Sequence, residues 1–547
     1  MTQATPLPPL SGLPDEALQG QITGLLPLNQ TLQLTIGLHA DRQGLAQLAQ
    51  DIYTPGSPQY AHYLKPEQIA NRYGASSATI QKVRDWLSSQ GFHILGVSAL
   101  HTNLVVQANT LQIAKAFQLL LQVRMLNGRT FFGPNQAPTL PPAIAPLITS
   151  INGLSNFTLF QHIPMQLAGA AASASPESAQ LPQAGDCSLY GVGPFGNVKR
   201  DQIAHTYAYD QLYKKGFRGQ GMTIGVLELG EPYNRNDVAN YAACNGDQLN
   251  LRNVEVDGPL MAGSGIGEAA LDLEMIAGLA PDAAIVDYQT PRPDDTGFLD
   301  GLNKVAEDDV IQVLSISYGA GEDQFDTSYL AQLNDTLEIL AIEGISVLIA
   351  SGDCAAFSDG VFGQLQVSFP ASAPWAIAVG GTSLQGNLEI AWSASNPNRT
   401  ECGNGWGTGG GISKVASFAR PVWQSGPGVK NQYSNGNRQL PDVSALADNI
   451  AIYHKGLWQP VAGTSASAPI WAAGVLLLDQ ALQKAGKPLF GGVPTIYQLA
   501  NGHTKYHPFH DITLGNNLYY QAGAGWDYPT GFGSPNLIDM AHMLGAF

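Results

Sequence analysis

After residue 187 the chain alternates short apolar runs with helical segments, and this alternation restricts the fold more than any other feature. Thr223–Leu229 (TIGVLEL), Ala284–Tyr288, Ile311–Ser317 (IQVLSIS), Ile345–Ala350 (ISVLIA) and Ala376–Val379 are apolar nearly throughout, so each reads as a strand buried on both faces. Ala269–Leu279, Phe298–Glu307, Tyr329–Glu343 and Ser465–Ala485 read as helices between or after them. Buried strands joined by helices imply a parallel sheet covered on both sides, an α/β fold. Active sites in such sheets open at the carboxyl ends of the strands. The chemically distinctive residues of this chain fall at strand-to-helix junctions or on the helices that follow.

A chain of 547 residues exceeds one ordinary core, so more than one domain is expected. Residues 1 to about 165 read differently, as an α+β unit. Gln33–Leu38, His93–Val97 and Leu104–Gln107 read as strands; Arg42–Tyr53, Ser77–Gln90 and Leu111–Leu121 read as helices. Arg124–Phe132 reads as a hairpin around Asn127-Gly128. Residues 168–186 are rich in Ala, Ser, Pro and Gln with no apolar period, the composition of a protease-accessible linker. The expected division is therefore 1–167, a linker over 168–186, and 187–547.

Charge follows the same division. Residues 1–186 hold 8 Lys+Arg and 8 Asp+Glu, whereas 187–547 hold 18 against 35 and carry the whole net charge of −17. That balance suits low pH, where carboxylates are protonated and few cations remain to repel one another; aid to solubility is the plainer reading. It argues against nucleic acid as a partner. Cys187, Cys244, Cys354 and Cys402 form no metal-binding spacing. They fit either two disulfides of undetermined pairing or buried thiols. The N-terminus lacks the basic and apolar regions of a signal peptide, and no apolar run approaches the roughly 18 residues of a membrane span.

Chemistry concentrates at a few places. Gly463-Thr464-Ser465-Ala466-Ser467-Ala468-Pro469 puts a serine at a helix start among small neighbours, where backbone N–H groups and the positive dipole end lie beside it; a plain N-cap has the same look. A nucleophilic serine needs a base, usually histidine, and none occurs between His205 and His454. Glu268 and Asp272, at i and i+4 of a helix flanked by Leu271, Leu273, Met275, Ile276 and Leu279, share one face instead. Two adjoining carboxylates repel, so one keeps its proton to higher pH, which makes a general acid–base pair usable in acid. Glu274, six positions on, is off that face and is expected to be solvated. Asp353 follows the strand ISVLIA, as an oxyanion-facing acid or a turn residue. Asp511-Ile512 and Gly523-Ala524-Gly525-Trp526-Asp527 combine two hard carboxylates with Gly-exposed carbonyls, a set that suits calcium, or else form a turn-rich loop. Gly409-Gly410-Gly411 lacks the Lys-Ser/Thr of a phosphate loop and reads as a place of close backbone approach.

Taken together these motifs resemble the sedolisin family, the serine-carboxyl peptidases, with kumamolisin-like members nearest in look. The family's GTSxxxP, ExxxD and SGD motifs match Gly463–Pro469, Glu268 with Asp272, and Ser351-Gly352-Asp353. The resemblance implies a subtilisin-like domain with Ser465 as nucleophile, Glu268 as base, Asp272 as its partner and Asp353 as oxyanion acid. It implies one calcium ion held by Asp511, Asp527 and the carbonyls of Ile512, Gly523 and Gly525. Phe369-Pro370-Ala371-Ser372, Val379-Gly380-Gly381-Thr382 and Leu440-Pro441-Asp442-Val443-Ser444 also match. Ser57–Leu64 (SPQYAHYL) resembles the family's activation prodomain, which implies a ferredoxin-like, intramolecularly inhibitory N-terminal unit.

Glu228 fits a glutamate that extends the carboxylate network in kumamolisin-like relatives. Tyr318 stands where a tryptophan is frequent, Ser368 where an acidic residue is found, and Cys354 where serine is usual. The implied activity is acid endoproteolysis of protein or peptide substrates by a secreted, monomeric, self-processing proenzyme. A tripeptidyl-peptidase of the same family and an inactive calcium-stabilised binding protein are the alternatives.

Overall fold

The computed structural model describes residues 10, 12–160, 187–191, 198–261, 263, 265–358, 364–395, 402 and 405–547, so the expected linker over 168–186 lies outside the described residues. The chain divides into two compact units. One comprises residues 1–160, 292–309 and 320–344; the other comprises 161–291, 310–319 and 345–547.

In the first unit a four-stranded antiparallel sheet runs in the order His93–Val97, Asn103–Asn109, Thr31–Leu38, Ile148–Asn152. Helices Arg42–Ile52, Ser77–Ser89 and Thr110–Phe117 start at Asp41, Ser76 and Asn109, whose side chains accept the orphan N–H groups of their first turns. Leu34, Ile36, Val83, Leu87, Leu104, Val106, Ile113 and Phe117 are wholly buried between them. The helix expected to reach Leu121 stops at Phe117, because Gln118 turns left-handed (φ 55°) and the chain re-extends as the strand Leu121–Leu126. That strand pairs with Arg129–Pro134 through Asn127-Gly128, both at positive φ, as this dipeptide predicts.

Two helices from the middle of the sequence, Asp295–Asp308 and Thr327–Glu343, belong to this unit. The N-terminal segment grips them through polar contacts. Arg42 pairs with Asp335 at 2.6 Å and Lys65 with Asp309 at 2.7 Å. The Thr35 hydroxyl donates to Asp300 at 2.8 Å, and the Tyr53 hydroxyl to the Ala341 carbonyl at 2.7 Å. Their apolar patterning reads as part of the C-terminal domain; their packing in this unit follows from these long-range pairs, which periodicity does not reveal.

The second unit is built on an eight-stranded sheet. Its strands are β1 (Thr223–Leu229), β2 (Leu251–Glu255), β3 (Ala284–Thr290), β4 (Val313–Ile316), β5 (Ser346–Ala350), β6 (Ile377–Gln385), β7 (Leu388–Ala391) and β8 (Val443–Leu446). The spatial order is β7-β6-β5-β4-β1-β3-β2, with β8 also paired to β6; every pairing is parallel except β6–β7. The chain winds one way from β1 to β2 and β3 and the other way through β4, β5 and β6. The switch in winding places a crevice at the carboxyl end of β1. Helices α1 (Glu268–Leu279) and α2 (Thr464–Lys484) pack against each other. All twelve residues of α1 are buried, so its three carboxylates have no access to bulk water.

Gly409 and Gly410 show what the glycine run is for. A Cβ at Gly409 would collide with the Ser351 carbonyl, and one at Gly410 with the Tyr528 carbonyl. The cysteines form two disulfides, Cys187–Cys244 and Cys354–Cys402. Among the described residues no helix is long and apolar enough to cross a membrane.

Candidate active site

Four chain segments converge at the carboxyl ends of β1, β4 and β5. Ser465 sits in the first turn of α2, 6% exposed. Pro469, four residues on, has no N–H to offer the Ser465 carbonyl. The Ser317 hydroxyl lies 3.3 Å from that carbonyl and 2.8 Å from Asp272 Oδ1. A single hydroxyl thus ties the serine's backbone to the carboxylate pair. In the sequence Ser317 shows only as the end of the strand Ile311–Ser317.

Glu268 and Asp272 are both wholly buried on α1, on the face expected. Burial pushes the Glu268 carboxyl well above its ordinary range and the Asp272 charge pushes it further; Ser465, as a donor, pulls the other way. The Ser465–Glu268 contact is looser than a normal hydrogen bond, and among the described residues neither Glu268 oxygen has a hydrogen-bond partner. Long donor–acceptor geometry of this kind is usual for a general base before substrate binds. Asp272 is raised by burial and by the charges of Glu231 and Asp287, while Ser317 holds it down.

The network extends behind the pair. Glu228, on β1, is wholly buried and accepts from the Tyr318 hydroxyl at 2.8 Å. Burial, then Asp272, raises it well above the usual range. Tyrosine here supplies the donor that the more frequent tryptophan would supply through its ring N–H. Asp287, on β3, is pushed up to about 7 by burial although Gln289 donates to it at 2.6 Å. Glu274 corrects the sequence reading: expected in solvent, it is wholly buried and accepts the Tyr453 N–H at 2.8 Å. The reason is that α1 is enclosed on every side, so being off the Glu268–Asp272 face does not mean facing water.

Asp353 follows β5 and is 4% exposed. The Thr464 N–H and hydroxyl both donate to its Oδ1 at 2.7 Å, and the Gly352 N–H donates to the Thr464 oxygen at 3.1 Å. Burial pushes Asp353 up to about 6 against those two donors. A Cβ on Gly463 would lie 2.8 Å from Asp353 Oδ2, so glycine is required for this approach. The loop is pinned by Gly407 N–H to the Asp353 carbonyl (2.8 Å), by Gly409 N–H to the Gly352 carbonyl (2.7 Å) and by the adjoining Cys354–Cys402 disulfide. Ser368 is buried against Gly352 and Gly319, so this wall of the crevice carries a hydroxyl and no charge.

The calcium candidates gather elsewhere, near the C-terminus. The Gly525 N–H donates to Asp511 at 2.9 Å and the Gly523 N–H to Asp527 at 2.7 Å, so one glycine loop joins both carboxylates. Burial pushes Asp527 up to about 7, with Asp511 adding to it. Two repelling carboxylates tied to one glycine loop fit a hard cation with oxygen ligands. Among the described residues no three His, Cys, Asp or Glu side chains form a metal cluster.

Comparison with known proteins places this geometry in context. Residues 19–157 match the pro-kumamolisin activation domain and residues 219–493 the subtilase family of peptidases. The chain is 30% identical to kumamolisin from Bacillus sp. (strain MN-32), over 97% of this chain and 94% of that one. It is 27% identical to sedolisin from Pseudomonas sp. (strain 101), over 94% and 87%, and 27% identical to tripeptidyl-peptidase 1 from Bos taurus, over 93% and 90%. Among solved structures, Pseudomonas sedolisin complexed with two molecules of pseudo-iodotyrostatin superposes with a TM-score of 0.53 at 26% identity, covering 60% of this chain and 93% of that one.

Proposed function

The chain belongs to the sedolisin family and is a serine-carboxyl peptidase proenzyme with an activation domain, and from that premise we propose that it is an acid-active endopeptidase working through Ser465, Glu268, Asp272 and Asp353. One observation carries the reading: a near-buried helix-start serine lies between a buried carboxylate pair and a third carboxyl. Ser465 Oγ attacks the scissile carbonyl while its proton passes to Glu268, with Asp272 sharing the negative charge of the pair. Asp353 Oδ1 already accepts two hydrogen bonds, so below about pH 6 the proton sits on Oδ2, beside Gly463, and is donated to the developing oxyanion. Glu268 returns its proton to the leaving amine, and water then releases the acyl group. Two conditions must hold together: Asp353 is protonated, which is met below about pH 6, and the Glu268–Asp272 pair has released at least one of its two protons, so that the raised pair sets the acid limb and Asp353 the alkaline one.

The expected result is a bell-shaped kcat/KM profile whose alkaline limb falls away above about pH 6. Mass spectrometry of a long peptide digested at pH 4 is expected to show internal cuts. Release of successive tripeptides from the N-terminus would replace the endopeptidase by the tripeptidyl alternative, and a maximum at pH 8 would overturn the acid mechanism.

Calcium is proposed as a structural ion held by Asp511, Asp527 and the carbonyls of Ile512, Gly523 and Gly525, where it would neutralise the two carboxylates and brace the C-terminal loop. Removing it with a chelator is expected to lower Tm by the equivalent of about 3 kcal/mol for an ion present at 100 times its Kd. An unchanged calorimetric trace counts against the site. The two disulfides suit an oxidising compartment, which supports export as the proposed destination.

A further inference from the structure

Glu231 lies two residues beyond β1, 6% exposed, in the turn Gly230-Glu231-Pro232. Its Oε1 accepts three consecutive backbone N–H groups, those of Ile266 (2.9 Å), Gly267 (2.8 Å) and Glu268 (3.0 Å). Successive N–H groups that converge on one oxygen make an anion nest. Here the nest is shaped by Gly265 and Gly267, at φ 59° and 116°, values that L side chains rarely adopt. A Cβ on Gly265 would stand 2.7 Å from Oε1, so the carboxylate reaches the nest only because that position is glycine. The nest is also the N-terminus of α1, whose N-cap residue Gly267 has no side chain to cap it. A carboxylate from the loop that follows β1 does the capping.

We propose that Glu231 is a positioning residue of the catalytic centre: by filling the nest at Ile266–Glu268 it fixes the start of the helix that carries Glu268 and Asp272, and it holds a further carboxylate beside them. The inference rests on the catalytic assignment above. It adds a residue that touches no reacting atom and acts through Glu268. Helix starts fray unless their first N–H groups are satisfied. Glu268 is the first residue of α1, so a frayed end would move the proposed base itself. The groups facing Glu231 are Glu228 on β1, Glu268 and Asp272 on α1, Tyr318 after β4, and His454. Asp287 on β3 acts on Glu228 and Asp272, and Asp237 and Lys455 act on His454. Glu231 contributes to the raised pKa of Glu228, Glu268 and Asp272, so its charge sets part of the pH at which the pair ionises.

Two substitutions in the full-length chain, assayed on a fluorogenic peptide after acid incubation, separate the roles. Glu231→Gln keeps an oxygen acceptor in the nest and removes the charge. It is expected to move the acid limb of the kcat/KM profile to lower pH by about half a unit or more, since one repelling carboxylate is gone. Glu231→Ala empties the nest and is expected to lower kcat by about 10²-fold with little change in KM, the effect of a displaced base. If Glu231→Ala does not accumulate as folded protein, the Gln variant alone decides, because it retains the cap. A wild-type pH profile for Glu231→Gln, or wild-type kcat for Glu231→Ala, overturns the proposal. Ser465→Ala assayed in parallel distinguishes the two levels: residual proteolysis there defeats the catalytic assignment, whereas an inert Ser465→Ala beside an unshifted Glu231→Gln defeats only the role of Glu231.

Discussion

Ser465→Ala is expected to lower kcat/KM by about 10⁴–10⁶-fold and to stop self-processing of the full-length chain in acid. The proposed nucleophile has no stand-in: Glu268 and Asp272 can share a proton, whereas the neighbouring Thr464 hydroxyl is already spent on Asp353 at 2.7 Å. Ser467, two residues on, is wholly buried and its hydroxyl is committed to the Ala445 and Leu446 carbonyls, so it is not placed to take over. The fold should tolerate the change. Ala is the better helix former and the lost atom is one hydroxyl oxygen at the edge of the crevice. The measurement is the rate of propeptide loss and of casein digestion at pH 4, with the circular dichroism of the variant as the control. Processing at the wild-type rate would remove Ser465 from the mechanism.

The second large expected effect concerns stability. The protein should be more stable near pH 4 than near pH 8. Burial raises Asp353 to about 6, Asp287 to about 7 and Asp479 to about 8, and it raises Glu228, Glu268, Asp272 and Glu274 well above their ordinary range. Above the unfolded carboxyl value near 4, the unfolded chain has released these protons while the folded chain still holds them, so the slope of unfolding free energy with pH is negative. Each group's contribution is fully present below pH 4 and is lost as pH rises through its folded value, at up to about 1.4 kcal/mol per pH unit. His454 acts in the opposite sense, because burial lowers it and its contribution is lost on acidification, but it is one group against seven.

Calorimetry of Ser465→Ala, which avoids autolysis, with calcium in excess at both pH values, should show Tm lower at pH 8 by on the order of 10 °C. An equal or higher Tm at pH 8 would mean that these carboxyls are solvated in the folded protein. The same result would weaken the acid mechanism, since both rest on water being kept from the crevice.

The limits of sequence reading are visible in individual residues. Glu268 and Asp272 were legible because an i, i+4 spacing within an apolar helix puts two side chains on one face whatever surrounds the helix. Glu274 was misread for the complementary reason: its exposure depends on what packs against the opposite face of α1, and periodicity carries no information about that. The helix after Asn109 was legible at its capping residue and not at its end, because the left-handed turn at Gln118 uses a residue with no special preference for it. Glu231 was passed over although it stands three residues after Glu228. The only available signal was a charged residue immediately past a buried strand, and its meaning lies in three N–H groups 35 to 37 residues away.

What the amino-acid order determined by itself is the local part: strands and helices from their periods, hairpin and caps from single residues, and a serine, two paired carboxylates and an aspartate in motifs that match one family. These depend on interactions within a few residues. Tertiary structure alone decided which carboxylates are denied water, which cysteines pair, that Asp353 is held by Thr464, that Glu231 caps a distant helix from the loop after β1, and that the helices Asp295–Asp308 and Thr327–Glu343 pack with the N-terminal unit. Each joins groups far apart in the chain, and burial, which sets the acid chemistry proposed here, is a property of everything that surrounds a group rather than of its neighbours in sequence.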